Sequence, residues 1–388
     1  MTTATQCSYF DESHEMLRDL TSRFVREEIE PHVDQWEEEG IFPRELYRKA
    51  GEHGLLGVCF GEEYGGTNTD LFHAIVVSEE LTRSGAQGIA AGLGSHMIAL
   101  PPILFAGTEE QKRRFIPPTL SGETIAALAI TEPDAGSDVA SIKTRAVRDG
   151  DHYIVNGAKT YITSGTRADF LTTAVRTGGP GHEGISLLVI ERDTPGLRVS
   201  KALKKMGWRC SDTAELAFED CRVPVANLIG TEGSGFKWIM QNFLSERIQL
   251  AVMAVTSAAM ACEAALTYAG QREAFGKPLI AKQVIRHKLV DMQSRVEVAQ
   301  QFVYHAASLA HRGEMAIRQV AIAKNTAVEA CRFCADEAVQ IFGGLGYMQG
   351  VLVERIYRDS RLLPIGGGTT EIMKEIIWKT MQEPGFRM

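Results

Sequence analysis

A chain of 388 residues, 44% hydrophobic and 23% charged, has the composition of a soluble globular protein and is too long for one small core, so two or three domains are expected. A net charge of −8 excludes a broadly basic surface for nucleic acid or anionic membrane, and admits an anionic ligand only where local basic residues receive it. Seven cysteines, an odd number spread along a chain of this size, point to reduced thiols and a cytoplasmic location.

The first residues, MTTATQCSYFDESHEM, lack both a basic n-region and an apolar h-region, so no signal peptide is expected. From about residue 10 to 125 the pattern is that of amphipathic helices, with Leu17, Leu20, Phe24 and Ile29 apolar and Pro31 interrupting. The apolar stretch from Gly88 to Gly107 contains His96 and Pro101-Pro102, fails as a membrane helix, and leaves no membrane insertion to expect. From about 126 to 230 the period shifts to two. HYIVNGAKTYITSG reads as two short strands around an Asn156-Gly157 hairpin, and FLTTAVRT, GISLLVIE and AELAFEDCRVP continue as strands. GPGHEG, Gly179 to Gly184, matches G-x-G-x-x-G literally, but strand-like runs flank it and no helix opens after it. It reads as a surface hairpin loop.

Beyond about residue 235 the chain returns to long helices, Phe236 to Arg272, Val284 to Arg312 and Ala316 to Phe342. Cys331 and Cys334 form C-x-x-C inside the last of these, with no second cysteine pair or histidine at ligand spacing. They read as two buried small hydrophobes, and no metal is expected. Near the end, RLLPIGGGTTEIMKEII places Gly366, Gly367 and Gly368 between an apolar strand-like run and a helix that Thr369 or Thr370 caps. Such a loop lets a ligand approach the backbone, yet offers no group to take a proton. The expected domains are 1–125, helical; 126–235, β; and 236–388, a helical bundle.

Three segments carry a more specific signal: AITEPDAGSDVASIKT followed by NGAKTYITSG; LKKMGWRCSDTAELAFEDCRVP; and QREAFGKPL with QIFGGLGYM and the glycine loop. In this order and spacing the chain resembles the acyl-CoA dehydrogenase family over nearly its whole length, with the middle and C-terminal thirds most similar to the long-chain and isovaleryl members. The resemblance implies an α+β fold of an N-terminal helical domain, a middle β-barrel or sandwich domain and a C-terminal four-helix bundle. It implies FAD-dependent conversion of an acyl-CoA to the trans-2-enoyl-CoA, with electrons passed to an electron-transfer flavoprotein. Medium-to-long straight chains are favoured; a branched or terpenoid acyl group is the alternative. Leu128, Ile130, Thr131, Gly136, Ser137, Tyr161, Ile162 and Thr163 are implied to contact FAD. Tyr161 stands where many members have Trp, and keeps a flat face for stacking. Arg272, Phe275, Gln283, Gln340, Ile341, Phe342, Gly343 and Gly344 are implied to contact FAD bound mainly by a neighbouring subunit, hence a homodimer at minimum and usually a homotetramer. Thr369 and Glu371 are implied to reach the cofactor too, although members often have Gln at the latter position.

Removing two hydrogens across a thioester Cα–Cβ bond requires a base for the α-proton, an acceptor for the β-hydride and donors for the charge that develops on the carbonyl oxygen. Medium- and short-chain members carry the base as a loop glutamate just before Gly-Thr; this chain has Gly367 there. Long-chain and isovaleryl members place a Glu-Arg pair on the first long C-terminal helix instead. NFLSERIQL supplies Glu246-Arg247 at the matching position, with Glu246, Gln249, Leu250 and Met253 on one helix face. Burial would raise the Glu246 pKa. Arg247 would oppose this if it pairs directly with Glu246, or other carboxylates would hold it instead; both arrangements remain open. The resemblance gives the Gly367 N–H to the thioester carbonyl and adds Ser137, Leu244, Arg247 and Gly368 as substrate contacts. Long-chain members keep Tyr where this chain has Gly366, which leaves room for a bulkier acyl group. An oxidase and a non-catalytic flavin- or CoA-binding scaffold are the competing readings.

Overall fold

The computed structural model describes residues 9–382; Met1 to Ser8, the first half of the stretch read for a leader, lie outside the described residues. The first part of the chain is helical: α1 (Glu12–Phe24), α2 (Val33–Glu39), α3 (Glu45–Glu52), α4 (Leu71–Arg83), α5 (Gln87–Leu93), α6 (His96–Ala99), α7 (Pro101–Ala106) and α8 (Glu109–Leu120). Pro31 acts as expected. After α1 the backbone passes through a π-turn, Val25–Ile29, and a 3-10 turn, Glu30–His32, before α2 begins. The apolar stretch around His96 breaks into the short helices α5, α6 and α7.

The eight strands of the middle sheet are β1 (Ala126–Ala129), β2 (Arg145–Asp149), β3 (His152–Thr163), β4 (Phe170–Arg176), β5 (Ile185–Glu191), β6 (Leu197–Ala202), β7 (Thr213–Pro224) and β8 (Leu228–Ile229). They form one sheet in the order β6-β7-β3-β2-β4-β5-β8, with β1 parallel to β4. Alternate residues of β5 enter different cores. Leu187 and Val189 join Phe115 and Ile116 of α8, whereas Leu188 and Ile190 meet Tyr153, Leu216 and Phe218 from the far half of the sheet. The sheet therefore folds over so that its two halves share one core, as the barrel or sandwich expectation requires. Gly179 to Gly184 connects the antiparallel pair β4 and β5, the hairpin loop read from the sequence.

The hairpin at Asn156-Gly157 is not there. These residues lie inside the continuous strand β3, at a shift of register against β7. Asn156 Oδ1 accepts the Asp220 N–H at 2.9 Å and its Nδ2 donates to Asp220 Oδ1 at 3.0 Å, so the side chain binds across the sheet. A bulge uses the same residue types as a tight turn, and pairing with β7 decided between them.

The C-terminal part comprises α9 (Gly235–Gln271), α10 (Gln283–His311), α11 (Ile317–Phe342), α12 (Leu352–Ser360) and α13 (Thr370–Met381). α9 is long and apolar enough to cross a membrane, but two thirds of its most apolar window is buried against α4, α10, α11 and α12. Cys331 and Cys334 are fully buried on α11, and the six cysteines among the described residues are free. Thr369 caps α13, its side chain accepting the Ile372 N–H at 3.2 Å. The run before the glycines, expected to be strand-like, is a series of turns held by bonds such as Gly366 N–H to the Leu362 carbonyl at 2.9 Å.

Two polar networks fix how these parts meet. Asp359 of α12, fully buried, accepts the Trp208 N–H at 2.6 Å and the Gln87 N–H at 3.2 Å, tying the bundle to the loop before β7 and to α5. The second joins AITEPDAGSD to β3. Lys159, with no exposed surface, donates to Glu132 Oε1 and to the Ile130 carbonyl, both at 2.8 Å. Glu132 also accepts the Lys143 and Thr144 N–H groups at 2.6 and 2.9 Å. Burial pushes the Lys159 ammonium down to about 8, against the pull of Glu132. Removing one member of such a pair leaves the other buried and uncompensated, at about 3–5 kcal/mol. Lys159→Met is therefore expected to lower the calorimetric unfolding temperature by several degrees or more. An unchanged transition would contradict a structural role for the pair.

Candidate active site

A cavity of about 1440 Å³ opens between the helical parts and the sheet. That exceeds what one small ligand fills, so a cofactor and a substrate can share it. One wall is the loop after β1, where Leu128, Ile130, Thr131, Gly136 and Ser137 all face the space. The Glu132–Lys159 pair holds this loop from behind, and the Thr160 N–H bonds the Thr131 carbonyl at 2.9 Å. Tyr161, Ile162 and Thr163 continue the wall from β3. Tyr161 has φ +60° at a second break in the β3–β7 register and is 69% exposed to the cavity side. Such a residue gains nothing from the protein's own core, which is the signature of a surface kept for a ligand.

The opposite wall comes from α9. Glu246, Gln249, Leu250 and Met253 line the cavity together, the face that their spacing predicts. Leu244 does not line it; its side chain packs against the helical core, because it sits on the other side of α9. Glu246 borders the space, but its Oε2 is buried with no hydrogen-bond partner among the described residues. Burial raises its pKa from the ordinary 4.5, while Arg247 and Lys324 oppose the rise. Arg247 is not spent on Glu246. Its Nε donates to the Gly367 carbonyl at 3.2 Å, and its guanidinium lies over the Phe243 ring. Arg247 therefore takes neither arrangement considered from the sequence: a main-chain carbonyl and a ring hold it, and it opposes the rise at Glu246 through space.

The third wall is the glycine loop, with Gly366, Gly367, Gly368 and Thr369 all facing the cavity. The three glycines are not equivalent. Gly367 has φ +63°, and a Cβ there would stand 2.3 Å from Leu250 Cδ1. Gly368 has φ +91° and would meet Met373 Cε at 2.7 Å. Gly366 has neither restriction, since a Cβ there meets only Leu362 atoms at 3.8 Å and beyond. Its missing side chain is space in the cavity, not a backbone requirement. The Gly367 N–H has no acceptor among the described residues.

Cations outnumber carboxylates on the cavity wall: Lys204, Lys205, Arg247, Arg358, Arg361 and Lys379 against Asp138, Glu246 and Glu375. This is the local basic surface that an acidic chain needs to receive an anionic ligand. Apart from Arg247, sequence reasoning missed these cations because they come from three separate segments. It also missed Lys324 of α11, which donates to the Leu363 and Gly368 carbonyls at 3.1 and 2.7 Å beneath the loop.

The remaining expected residues lie elsewhere. Arg272, Phe275 and Gln283 surround the short hairpin between α9 and α10, and Gln340, Gly343 and Gly344 lie at the end of α11; none lines the cavity and all are exposed. Phe275 is 95% exposed. Phe342 stacks on Tyr268 at 4.2 Å, one turn before Arg272, which brings the two groups to one side of the molecule. Ile341 is buried in the core, and Glu371 is exposed outside the cavity.

Comparison with known proteins agrees with this architecture. Family models described as the N-terminal, middle and C-terminal domains of acyl-CoA dehydrogenase match residues 11–123, 127–221 and 233–382. An acyl-CoA dehydrogenase of Bacillus subtilis is 41% identical over 94% of this chain and 96% of its own. The long-chain specific mitochondrial enzyme of Sus scrofa is 38% identical over 95% of this chain and 86% of its own. Among solved structures, a probable acyl-CoA dehydrogenase from Mycobacterium abscessus superposes with TM-score 0.95 at 50% identity, covering 96% of this chain and all of that one. An acyl-CoA dehydrogenase from Bacillus anthracis, complexed with FAD, superposes with TM-score 0.91 at 34% identity, covering 96% of this chain and 67% of that one.

The buried carboxyl has a measurable consequence. The folded chain binds the Glu246 proton more tightly than the unfolded chain does, because burial raises its pKa from 4.5. As pH rises past that ordinary value the unfolded state releases the proton first, and Glu246 then costs stability. Glu246→Gln is expected to unfold at the wild-type temperature near pH 4 and to gain about 1–3 kcal/mol, the cost of an unpaired buried polar group, at mildly alkaline pH. Equal shifts at both pH values would show that the carboxylate is not desolvated.

Proposed function

The chain belongs to the acyl-CoA dehydrogenase family and is an oxidoreductase of that class, and on this premise we propose that Glu246 is the base and the Gly367 N–H the donor that together activate the thioester. The observation that carries this reading is one convergence. The Glu246 carboxylate, buried and without a partner for Oε2, lies with Oε1 3.7 Å from the point where a Gly367 Cβ would sit. Helix-borne and loop-borne glutamates thus reach the same place, and this chain fills it from the helix.

FAD is the cofactor, and the cavity residues fit it. The exposed Tyr161 face offers a stacking surface, and a Cβ on Gly136 would meet nothing within 4 Å, so the loop after β1 leaves a flat approach. Leu128, Ile130, Thr131, Ser137, Ile162 and Thr163 would hold it along the same wall, with Thr369 opposite. When bound, it supplies one chemistry, acceptance of the β-hydrogen as hydride. The chain's own residues do the rest. Polarisation of the thioester carbonyl by the Gly367 N–H makes the α-proton more acidic. Glu246 takes that proton, and the Cα–Cβ double bond forms as the hydride leaves Cβ. Arg247, bonded to the Gly367 carbonyl, keeps the loop against α9 and leaves the carboxylate unpaired for this task. Gly368 borders the cavity beside Gly367, and the cationic wall receives the phosphates of CoA.

The exposed Arg272, Phe275, Gln283, Gln340, Gly343 and Gly344 support contact with FAD held by a neighbouring copy, and with it a homodimer or homotetramer in the cytoplasm. An electron-transfer flavoprotein is the acceptor we assign; rapid reoxidation by air without an acceptor protein would instead indicate an oxidase. For the substrate, medium-to-long acyl chains are the primary reading. The unrestricted space at Gly366 favours a second, a branched or terpenoid acyl group.

Anaerobic mixing with medium- and long-chain acyl-CoAs should bleach the visible flavin band. Glu246→Gln should keep the band and slow its bleaching by about a thousandfold or more, within the range lost with a general base and its charge. Near wild-type bleaching would remove Glu246 from the mechanism. Gly366→Tyr should depress turnover of branched acyl-CoAs at least tenfold more than that of straight ones, a difference of about 1.4 kcal/mol. A parallel loss on both would leave Gly366 without a role in selection.

A further inference from the structure

Lys324 stands on α11 among Val320, Ala321, Ala327 and Val328, all buried, and has no exposed surface itself. Few lysines are placed so, because taking an ammonium out of water costs several kcal/mol unless its donors are satisfied. Here two of its three N–H donors are taken by main-chain carbonyls. Leu363 and Gly368, which accept at 3.1 and 2.7 Å, bracket the segment that carries Gly366 and Gly367. The contact is central to the site. A Cβ built on Gly367 would lie 3.7 Å from Lys324 Cε and 3.7 Å from Glu246 Oε1, so ammonium stem, loop and carboxylate converge on one residue. The charged groups whose fields reach Lys324 are Glu246 and Arg247, both on α9; the glycine loop presents only carbonyls, and α13 offers the Thr370 carbonyl to the neighbouring Asn325. Burial pushes the lysine down to about 8, with Glu246 drawing it up and Arg247 adding to the fall.

We propose that Lys324 is a positioning residue for the dehydrogenation: it clamps both ends of the glycine loop so that the Gly367 N–H faces the substrate, and its charge sets the ionisation of Glu246. The inference rests on the roles given above to Glu246 and Gly367. Two uncharged donors would be enough to hold two carbonyls. A lysine does more, since its positive charge favours the carboxylate form of Glu246 against the burial that opposes it. One residue thereby serves both halves of the divided site, the donor on the loop and the base on α9.

Lys324→Met removes the donors and the charge, and Lys324→Gln keeps a donor without the charge. Both holoenzymes would be compared with wild type in three measurements: flavin content, the pH dependence of flavin reduction at saturating acyl-CoA, and amide hydrogen exchange over residues 361–377. Both variants should retain FAD. Lys324→Met should reduce its flavin about a hundredfold more slowly, the scale of losing one donor to the carbonyl, with roughly tenfold faster exchange at Gly366 to Gly368. Lys324→Gln should recover part of the rate and of the protection. In both, the midpoint of the pH profile should rise by about one unit, because Glu246 keeps its proton longer without the cation. A purely structural lysine would slow the reaction without moving that midpoint. An unmoved midpoint in either folded variant, or unchanged exchange in Lys324→Met, overturns the proposal; if the methionine variant does not fold, the glutamine variant decides. Wild-type flavin that no acyl-CoA reduces would instead overturn the reading of the site, while the exchange measurement still tests the clamp.

Discussion

A cavity walled by irregular backbone must find partners for carbonyls that no helix or strand satisfies, and it must do so from the side away from the ligand. In this protein lysines supply such partners three times, Lys159 and Lys324 from behind the wall and Lys205 from the wall itself. Lys159 reaches the Ile130 carbonyl behind the loop after β1, Lys205 the Ser211 carbonyl before β7, and Lys324 the Leu363 and Gly368 carbonyls behind the glycine loop. A long, flexible stem with a compact three-donor head suits this task better than a planar guanidinium, which needs a matching fork of acceptors. The cost is desolvation, and burial holds each of the three near 8. Only Lys159 has a carboxylate in direct contact, and that pair is the one that fixes the cofactor wall.

The same constraint explains why the motifs look as they do. Glu132 in ITEPDAGS and Lys159 in NGAKTYIT are two ends of one ion pair, so segments that seem to be separate fingerprints are a single structural unit. The glycines of the third motif divide by physical cause. Leu250 and Met373 occupy the volume that side chains at 367 and 368 would need, whereas nothing in the protein fills the volume at 366. Leu250 belongs to the same helix face as Glu246, so the helix that carries the proposed base also closes position 367 of the loop to a side chain. A side chain at 367 would require Leu250 to move.

Much of this was legible in the sequence. The three-part order followed from the change of period, and the cavity face of α9 followed from the spacing of Glu246, Gln249, Leu250 and Met253. Leu244 was misassigned because adjacency in sequence is not adjacency on a helix, where neighbours point about 100° apart. Asn156-Gly157 misled for a different reason. Local propensity is the same for a bulge and a turn, and only the long-range partner Asp220 separates them. Lys324 did leave a trace, as one charge in the apolar stripe of QVAIAKNTAVEAC, but a lone lysine in a helix is ordinarily solvated, and its acceptors lie some forty residues away.

The division of the site between α9 and a loop over a hundred residues later raises the question of what keeps the two in register. Hydrophobic packing alone sets distances to within the slack of a rotamer, which is too coarse for the base and donor proposed above to act on adjacent atoms. Two charge-assisted hydrogen bonds remove that slack from opposite sides. Arg247 joins α9 to the Gly367 carbonyl, and Lys324 joins α11 to the Gly368 carbonyl, so consecutive peptide groups of the loop are held by different helices. Neither cation is spent in a direct ion pair with Glu246, whose Oε2 stays unpaired. That arrangement reconciles two demands that otherwise conflict: a loop fixed by positive charge, and a carboxylate left basic enough to take a proton. Had Arg247 closed on Glu246, the pair would have been more stable and the base weaker.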